Sequence, residues 1–238
     1  MAYQAVFTRC ELKYMITHAQ KQRLLEVMAP YMALDKYGRT IIRNIYFDTP
    51  DYRLIRRSIE KPPYKEKLRL RSYTQASPDS LVFVELKKKY DSIVYKRRLA
   101  TTETQALGWI SGGSAPIDSQ ISREIDYFRS FYRDLRPTVF LSYAREAYYC
   151  RSGGDFRVTF DDEILCRGHN LSLALPPAGD PILPEGKILM EIKCSGGIPL
   201  WMTRFLTEEQ VFRTSFSKYG TAYQKLIYPK LQGGHQYA

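Results

Sequence analysis

Charged and apolar residues alternate with a period of two across the stretch from Tyr64 to Leu99. It reads YKEKLRLRSY, a polar turn, LVFVELKKKY, an Asp-Ser step, then IVYKRRL. The spacing predicts three consecutive β-strands. Lys67, Arg69 and Arg71 fall on one face, with Leu68 and Leu70 on the other. Glu85 and Lys87 oppose Val84 and Leu86, and Lys96 and Arg98 share a side. Side chains of a strand alternate between faces, so one face of this sheet is cationic and the other apolar. A single surface strand with a wet face gives the same alternation. Three neighbouring strands with mostly one sign are harder to explain that way, because like charges directly opposite destabilise a sheet. A bound anion that offsets them is the sharper reading.

The same reading of pattern organises the rest of the chain. Phe7 to Ile16 predicts a first strand with Glu11 and Lys13 on one face. Thr17 is an N-cap for a helix running to Met32, with Leu24, Leu25, Met28 and Met32 at helical spacing. Ile41 to Phe47 is a strand that Pro50 ends, and Tyr52 to Ile59 is a short helix or irregular segment. Thr102 with Gln105 suggests a capping box opening a helix to Ile110. A second helix covers Ser122 to Leu135. Thr138 to Tyr149 and Phe156 to Ile164 read as a hairpin. A Pro-rich loop, Leu175 to Gly186, leads to a strand from Lys187 to Lys193 with Glu191 and Lys193 on one face. Pro199 to Leu206 and Lys218 to Leu231 are predicted helices. The result is an α+β fold with about eight mostly antiparallel strands. A sheet of that size curls or closes to remove its edges, and a closed eight-stranded β-barrel encloses room for side chains or a small ligand. A charged interior makes sense only as a tunnel holding water, metal and an anionic ligand.

Length and charge sharpen this. A chain of 238 residues predicts a single domain, 1–238, and 44% hydrophobic residues suffice for a core. Lys plus Arg number 36 against 25 Asp plus Glu, a net charge of +11, which points to an anionic partner. The charge lies within strands rather than in a tail. Cys10, Cys150, Cys166 and Cys194 form no CxxC, and only His18, His169 and His235 could join them, so zinc is disfavoured. Reduced thiols fit a cytoplasmic location. No apolar run reaches the ~20 residues of a membrane helix. Gly112-Gly113 and Gly153-Gly154 do not match a phosphate-binding P-loop and read as turns. Arg145 stands alone in an apolar, aromatic strand, where an arginine is unusual. Lys218 begins a helix, a position that favours an anion nearby. Tyr and Phe do not interleave with the basic strand positions, so nucleic acid is disfavoured as the partner.

Several segments together are similar to a known group: Glu11-Leu-Lys13-Tyr14, YFDTPD at Tyr46 to Asp51, LRLRSY at Leu68 to Tyr73, VELKKKY at Val84 to Tyr90, YKRR at Tyr95 to Arg98, YAREAY at Tyr143 to Tyr148, LMEIK at Leu189 to Lys193 and FSKY at Phe216 to Tyr219. The series resembles the VTC domain, the catalytic module of the vacuolar transporter chaperone polyphosphate polymerase. That domain belongs to the triphosphate tunnel metalloenzymes, with the CYTH phosphatases and adenylate cyclases. The resemblance implies an antiparallel eight-stranded β-tunnel lined by Lys and Arg around a triphosphate. It implies phosphate ligation by Lys13, Arg69, Arg71, Lys87, Lys96, Arg145, Lys193 and Lys218, with Lys67 and Arg98 extending the same faces. Glu191 would be the leading ligand for Mg²⁺ or Mn²⁺, followed by Glu11, Glu85 and Asp161. The CYTH enzymes open with ExExK, whereas here Arg9 precedes Glu11 and Lys13, which fits the VTC branch better. The sequence lacks the membrane segments that accompany this domain in eukaryotic vacuolar complexes, so a membrane-protein partner is an expectation.

Phosphoryl transfer needs charge neutralisation and alignment more than covalent catalysis, and no Ser-His-Asp or Cys-His grouping is required. Arg holds non-bridging oxygens in bidentate fashion and Lys as a point charge. Three functions follow: polyphosphate synthesis from ATP, hydrolysis of triphosphate or nucleoside triphosphates, and non-catalytic polyphosphate or polyanion binding.

Overall fold

The structure is a computed structural model that describes residues 10–91 and 93–233. The predicted strand positions Phe7 to Arg9, and Ser92 of the tight turn, lie outside the described residues. In chain order the elements are β1 (Cys10–Thr17), α1 (His18–Met28), β2 (Met32–Leu34), β3 (Thr40–Asp48), α2 (Arg53–Ile59), β4 (Tyr64–Ser72), β5 (Leu81–Tyr90), β6 (Ile93–Thr102), α3 (Glu103–Ile110), α4 (Gln120–Tyr132), β7 (Arg136–Cys150), β8 (Arg157–Arg167), β9 (Asp180–Pro181), β10 (Lys187–Cys194), α5 (Leu200–Glu208), α6 (Lys218–Leu226) and α7 (Tyr228–Gly233). Three predicted helices end before their pattern does, α4 among them, which stops at Tyr132 rather than Leu135. Helix α1 stops before Pro30, and Met32 joins β2 instead. The last helix breaks at Ile227, since Pro229 has no N–H to continue the helical ladder.

The chain forms two compact units, each assembled from separated segments. The first takes the described chain up to Thr40, Tyr143–Ile164 and Leu183–Phe216. Here β1 pairs with β10, and β10 with β8, all antiparallel, while β2 pairs with the end of β7. A capping box at Thr17 starts α1: its side chain accepts from Gln20 N, and the Gln20 side chain accepts from Thr17 N. Ile16, Leu24 and Met28 pack with Phe160, Met190, Ile192, Met202 and Phe205 to form the core of this unit.

The second unit comprises Ile41–Ser142, Leu165–Ile182 and the chain from Ser217. Strands β3, β4, β5 and β6 pair in sequence order, each antiparallel to the next. Leu68, Leu70, Val84 and Leu86, the apolar partners predicted by the alternation, are fully buried with Trp109 of α3 and Phe128 of α4. Asp48 ends β3 as a buried carboxylate. It accepts from the backbone N–H of Thr49, Leu54 and Ile55 and from the Tyr219 hydroxyl, anchoring the start of α2. The DTPD motif is therefore built around a helix start.

Every described register is antiparallel, as predicted, and the chain is a sheet-dominated α+β protein. Within the first unit β1 pairs with β10 and also bridges Arg213 through Tyr14; within the second β6 pairs with β5. No helix among the described residues is long and apolar enough to cross a membrane.

Candidate functional site

Register turns the cationic strand faces of the second unit into rows. Tyr90 lies opposite Ile93, and every later pair follows. Lys67, Lys87 and Lys96 lie directly opposite one another across β4, β5 and β6. The next row is Arg69, Glu85 and Arg98. Like charges on directly opposite strand positions do not stabilise a sheet, so the lysine row is not by itself a stabilising device. Glu85 is 1% exposed and gathers the surrounding cations. Its carboxylate accepts from Arg69 Nε at 2.8 Å and Arg98 Nε at 2.6 Å, pairs with Lys96 Nζ at 2.6 Å, and has Arg71 Nε at 3.7 Å. Burial alone would raise its carboxyl group. Arg69, Arg71 and Lys96 outweigh that and hold it well below the ordinary carboxylate range.

Uncharged side chains fix the arginines from a second side. Arg69 Nη1 donates to the Tyr46 hydroxyl at 3.0 Å, Arg71 Nε to Asn44 Oδ1 at 3.0 Å, and Arg98 Nη2 to the Tyr73 hydroxyl at 2.9 Å. Lys67 Nζ donates to Ser217 Oγ at 3.0 Å, next to Lys218, the first residue of α6. Sequence reasoning missed Asn44, Tyr46, Tyr73 and Ser217 as neighbours of the basic face. Asn44 and Tyr46 alternate with Ile45 and Phe47, so the period-two rule carried a usable signal for both.

Burial pushes the Lys96 ammonium down to about 7, helped by Arg71 and Arg69 and opposed by Glu85. It carries its charge below that pH and loses it above. Triphosphate affinity is therefore expected to fall between pH 6 and 8.5 more steeply in the unmodified chain than in Lys96→Arg, whose guanidinium stays charged. Titrating both proteins with triphosphate cancels the ligand's own ionisation. Parallel pH profiles would remove Lys96 from the binding face.

The first unit carries a mixed face. Glu11 lies opposite Lys193, and Lys13 opposite Glu191, on β1 and β10. Glu191 has Lys193 Nζ at 3.4 Å, Lys13 Nζ at 3.7 Å and Arg145 Nη2 at 3.7 Å. Lys13 Nζ also lies 3.5 Å from Glu11 and donates to the Phe216 carbonyl at 2.8 Å. Asp161, fully buried on β8, receives two hydrogen bonds of 2.6 Å from Arg145 Nε and Nη2. Burial would lower the Arg145 guanidinium, but Asp161, then Tyr143 and Glu191, raise it well above its usual value. Burial lowers the Lys193 ammonium, with Glu191 opposing.

The structure thus brings Arg69, Arg71, Glu85, Lys96 and Arg98 together, with Lys67 and Lys87 in the adjoining row. It separately brings together Glu11, Lys13, Arg145, Asp161, Glu191 and Lys193. The four acids predicted as metal ligands differ in setting. Glu85 is ringed by cations and Asp161 is committed to Arg145 at both oxygens. Glu191 and Glu11 flank one ammonium, that of Lys13, which marks a position where two carboxylates favour a cation. Hard carboxylate oxygens suit Mg²⁺ or Mn²⁺, although no group of three acidic, His or Cys side chains converges among the described residues. Asp162 and Glu163 pair instead with Arg39.

A search of curated proteins found no match. Among solved structures, a candidate adenylate cyclase from Bacillus halodurans shares 13% identity over 89% of this chain and 94% of its own, with a TM-score of 0.53. A candidate adenylyl cyclase from Hippeastrum, described as having a dominant triphosphatase activity, shares 15% identity over 91% of this chain and 96% of its own, at 0.52. At such identities the likeness shows the fold, which agrees with the antiparallel architecture above. A family model, that of the VTC domain, matches residues 8–227, nearly the whole chain and all of the strands that carry the two charged faces, and on that match the chain belongs to the VTC domain family.

Proposed function

We propose that this chain is a metal-dependent phosphotransferase that moves the γ-phosphoryl group of ATP to the end of a growing polyphosphate, releasing ADP. The observation that carries this reading is the row Lys67–Lys87–Lys96 beside Arg69 and Arg98. With only the buried Glu85 carboxylate among them, these lysines and arginines leave the face a surplus of positive charge that suits a polyanion. Family membership supports the same reading. Lys67, Lys87 and Lys96 act as point charges on non-bridging oxygens, and Arg69, Arg71 and Arg98 add bidentate contacts. In the first unit Glu191 and Glu11 would hold Mn²⁺ or Mg²⁺, with Lys13, Arg145 and Lys193 neutralising phosphate charge beside them. When bound, such an ion supplies Lewis-acid stabilisation of the phosphoryl oxygens. The acceptor is already anionic, so no general base is needed. A cytoplasmic setting and a membrane protein that receives the product complete the reading.

Incubation of the purified chain with ATP and Mn²⁺ or Mg²⁺, with products resolved on a polyphosphate-stained gel and orthophosphate assayed alongside, tests it. Long polyphosphate is the expected product. The triphosphatase activity described for the Hippeastrum protein favours a second reading in which water is the acceptor. Orthophosphate without chain growth would select that reading. Tight triphosphate binding with no turnover under either metal would leave a polyanion-binding module.

A further inference from the structure

We propose that Glu85 is a positioning residue that spaces the phosphate-binding cations, and that it is not a metal ligand. This rests on the phosphate-binding reading of the second unit's basic face. Glu85 sits on β5, the middle of three strands, with Arg69 directly opposite on β4 and Arg98 directly opposite on β6. Both carboxylate oxygens are engaged: Oε2 by Arg69 at 2.8 Å, Oε1 by Arg98 and by Lys96, each at 2.6 Å. Arg71 approaches Oε2 to 3.7 Å. A divalent cation needs oxygen lone pairs that are open to it, and here it would have to enter the field of four positive charges.

The same geometry gives the carboxylate a different task. Guanidinium and ammonium groups on long side chains would splay apart by mutual repulsion. One negative charge at their centre draws four of them to a common point, while Tyr46, Asn44 and Tyr73 hold the three arginines from the far side. One anion against four cations leaves the cluster strongly positive, so it organises the face without cancelling its attraction for phosphate. Donors held in place before the substrate arrives need no reorganisation during reaction. A neutral Gln of the same shape keeps the space filled but removes the charge that gathers the cations.

Glu85→Gln and Glu85→Asp test this with three readouts: triphosphate binding by calorimetry without metal, Mn²⁺ binding in the presence of triphosphate, and turnover of ATP. Glu85→Gln is expected to bind triphosphate as tightly as the unmodified chain or up to about tenfold more tightly, since one opposing charge is gone. Its Mn²⁺ affinity should be unchanged, and its kcat should fall by about a hundredfold as alignment is lost. Glu85→Asp keeps the charge and should recover part of kcat. A drop of about tenfold or more in Mn²⁺ affinity for Glu85→Gln would make the residue a metal ligand and overturn the proposal. Loss of triphosphate binding in both variants together with a lowered Tm would reduce Glu85 to a fold-supporting role and overturn it too. Absence of turnover in the unmodified chain would overturn the phosphotransfer reading alone, because the two titrations still report on Glu85.

Discussion

Glu191→Gln is expected to lower metal-dependent turnover by about a thousandfold, or about 4 kcal/mol in activation free energy, while triphosphate still binds. The substitution is nearly isosteric, so β10 keeps its register between Lys13 on β1 and Thr159 on β8. What changes is charge. Glu191 is a buried carboxylate with Lys13, Lys193 and Arg145 at 3.4–3.7 Å. A neutral amide offers a hard divalent ion a much weaker oxygen, and the three cations lose their shared counter-charge. Their attraction for phosphate is then undiminished. Turnover measured across a Mn²⁺ titration, with triphosphate binding followed in parallel, separates the two effects. Glu191→Asp keeps the charge on a shorter arm and should retain more activity at saturating Mn²⁺. Turnover in Glu191→Gln within about threefold of the unmodified chain, which is well under 1 kcal/mol, would exclude Glu191 from metal binding.

The alternation in Tyr64 to Leu99 was enough to place the basic face, because a two-residue period assigns sides without knowledge of the partner strand. Leu68, Leu70, Val84 and Leu86 are fully buried where that period puts them. Partners were not legible in the same way. Nothing local says that Glu85 meets Arg69, Lys96 and Arg98 together; that follows from two turns that fix the registers of β4 and β6 on β5. The acidic run Asp161-Asp162-Glu163 offers three neighbouring carboxylates that nothing local tells apart. The fold divides it, turning Asp161 to Arg145 and Asp162 and Glu163 to Arg39, a residue more than a hundred positions away in the chain. An arginine in an apolar strand is also an ambiguous signal. Arg145 lies in a charged cluster, whereas Arg167, at the end of β8, stacks on Phe140 and donates to the carbonyls of Asn170, Ser172, Pro176 and Ala178, tying down the Pro-rich loop. Asn44 and Tyr46 carry no charge, so no charge pattern marks them as the groups that aim the arginines.

Arg145→Ala is expected to destabilise the fold by about 3–5 kcal/mol, the range for breaking a buried ion pair from one side. Asp161 has no exposed surface and takes both short hydrogen bonds from this guanidinium. Removing the guanidinium takes away the two short hydrogen bonds that offset the desolvation of this buried carboxylate. Lysine does not restore the pair, since a point charge cannot match two carboxylate oxygens in a plane. Arg69→Ala provides the contrast: Glu85 keeps Lys96 and Arg98 at hydrogen-bond distance, so the loss should be about 1–2 kcal/mol. Denaturant unfolding of Arg145→Ala, Asp161→Asn and the double variant measures the coupling. The double variant should be more stable than Arg145→Ala, because the neutral amide removes the charge that has lost its guanidinium, and a strictly additive loss would show that the pair is not coupled. The same comparison isolates the arginine's part in phosphate handling. If Arg145 binds phosphate as well as Asp161, turnover stays low in the double variant even where stability has recovered; if it acts only through the fold, activity returns with stability.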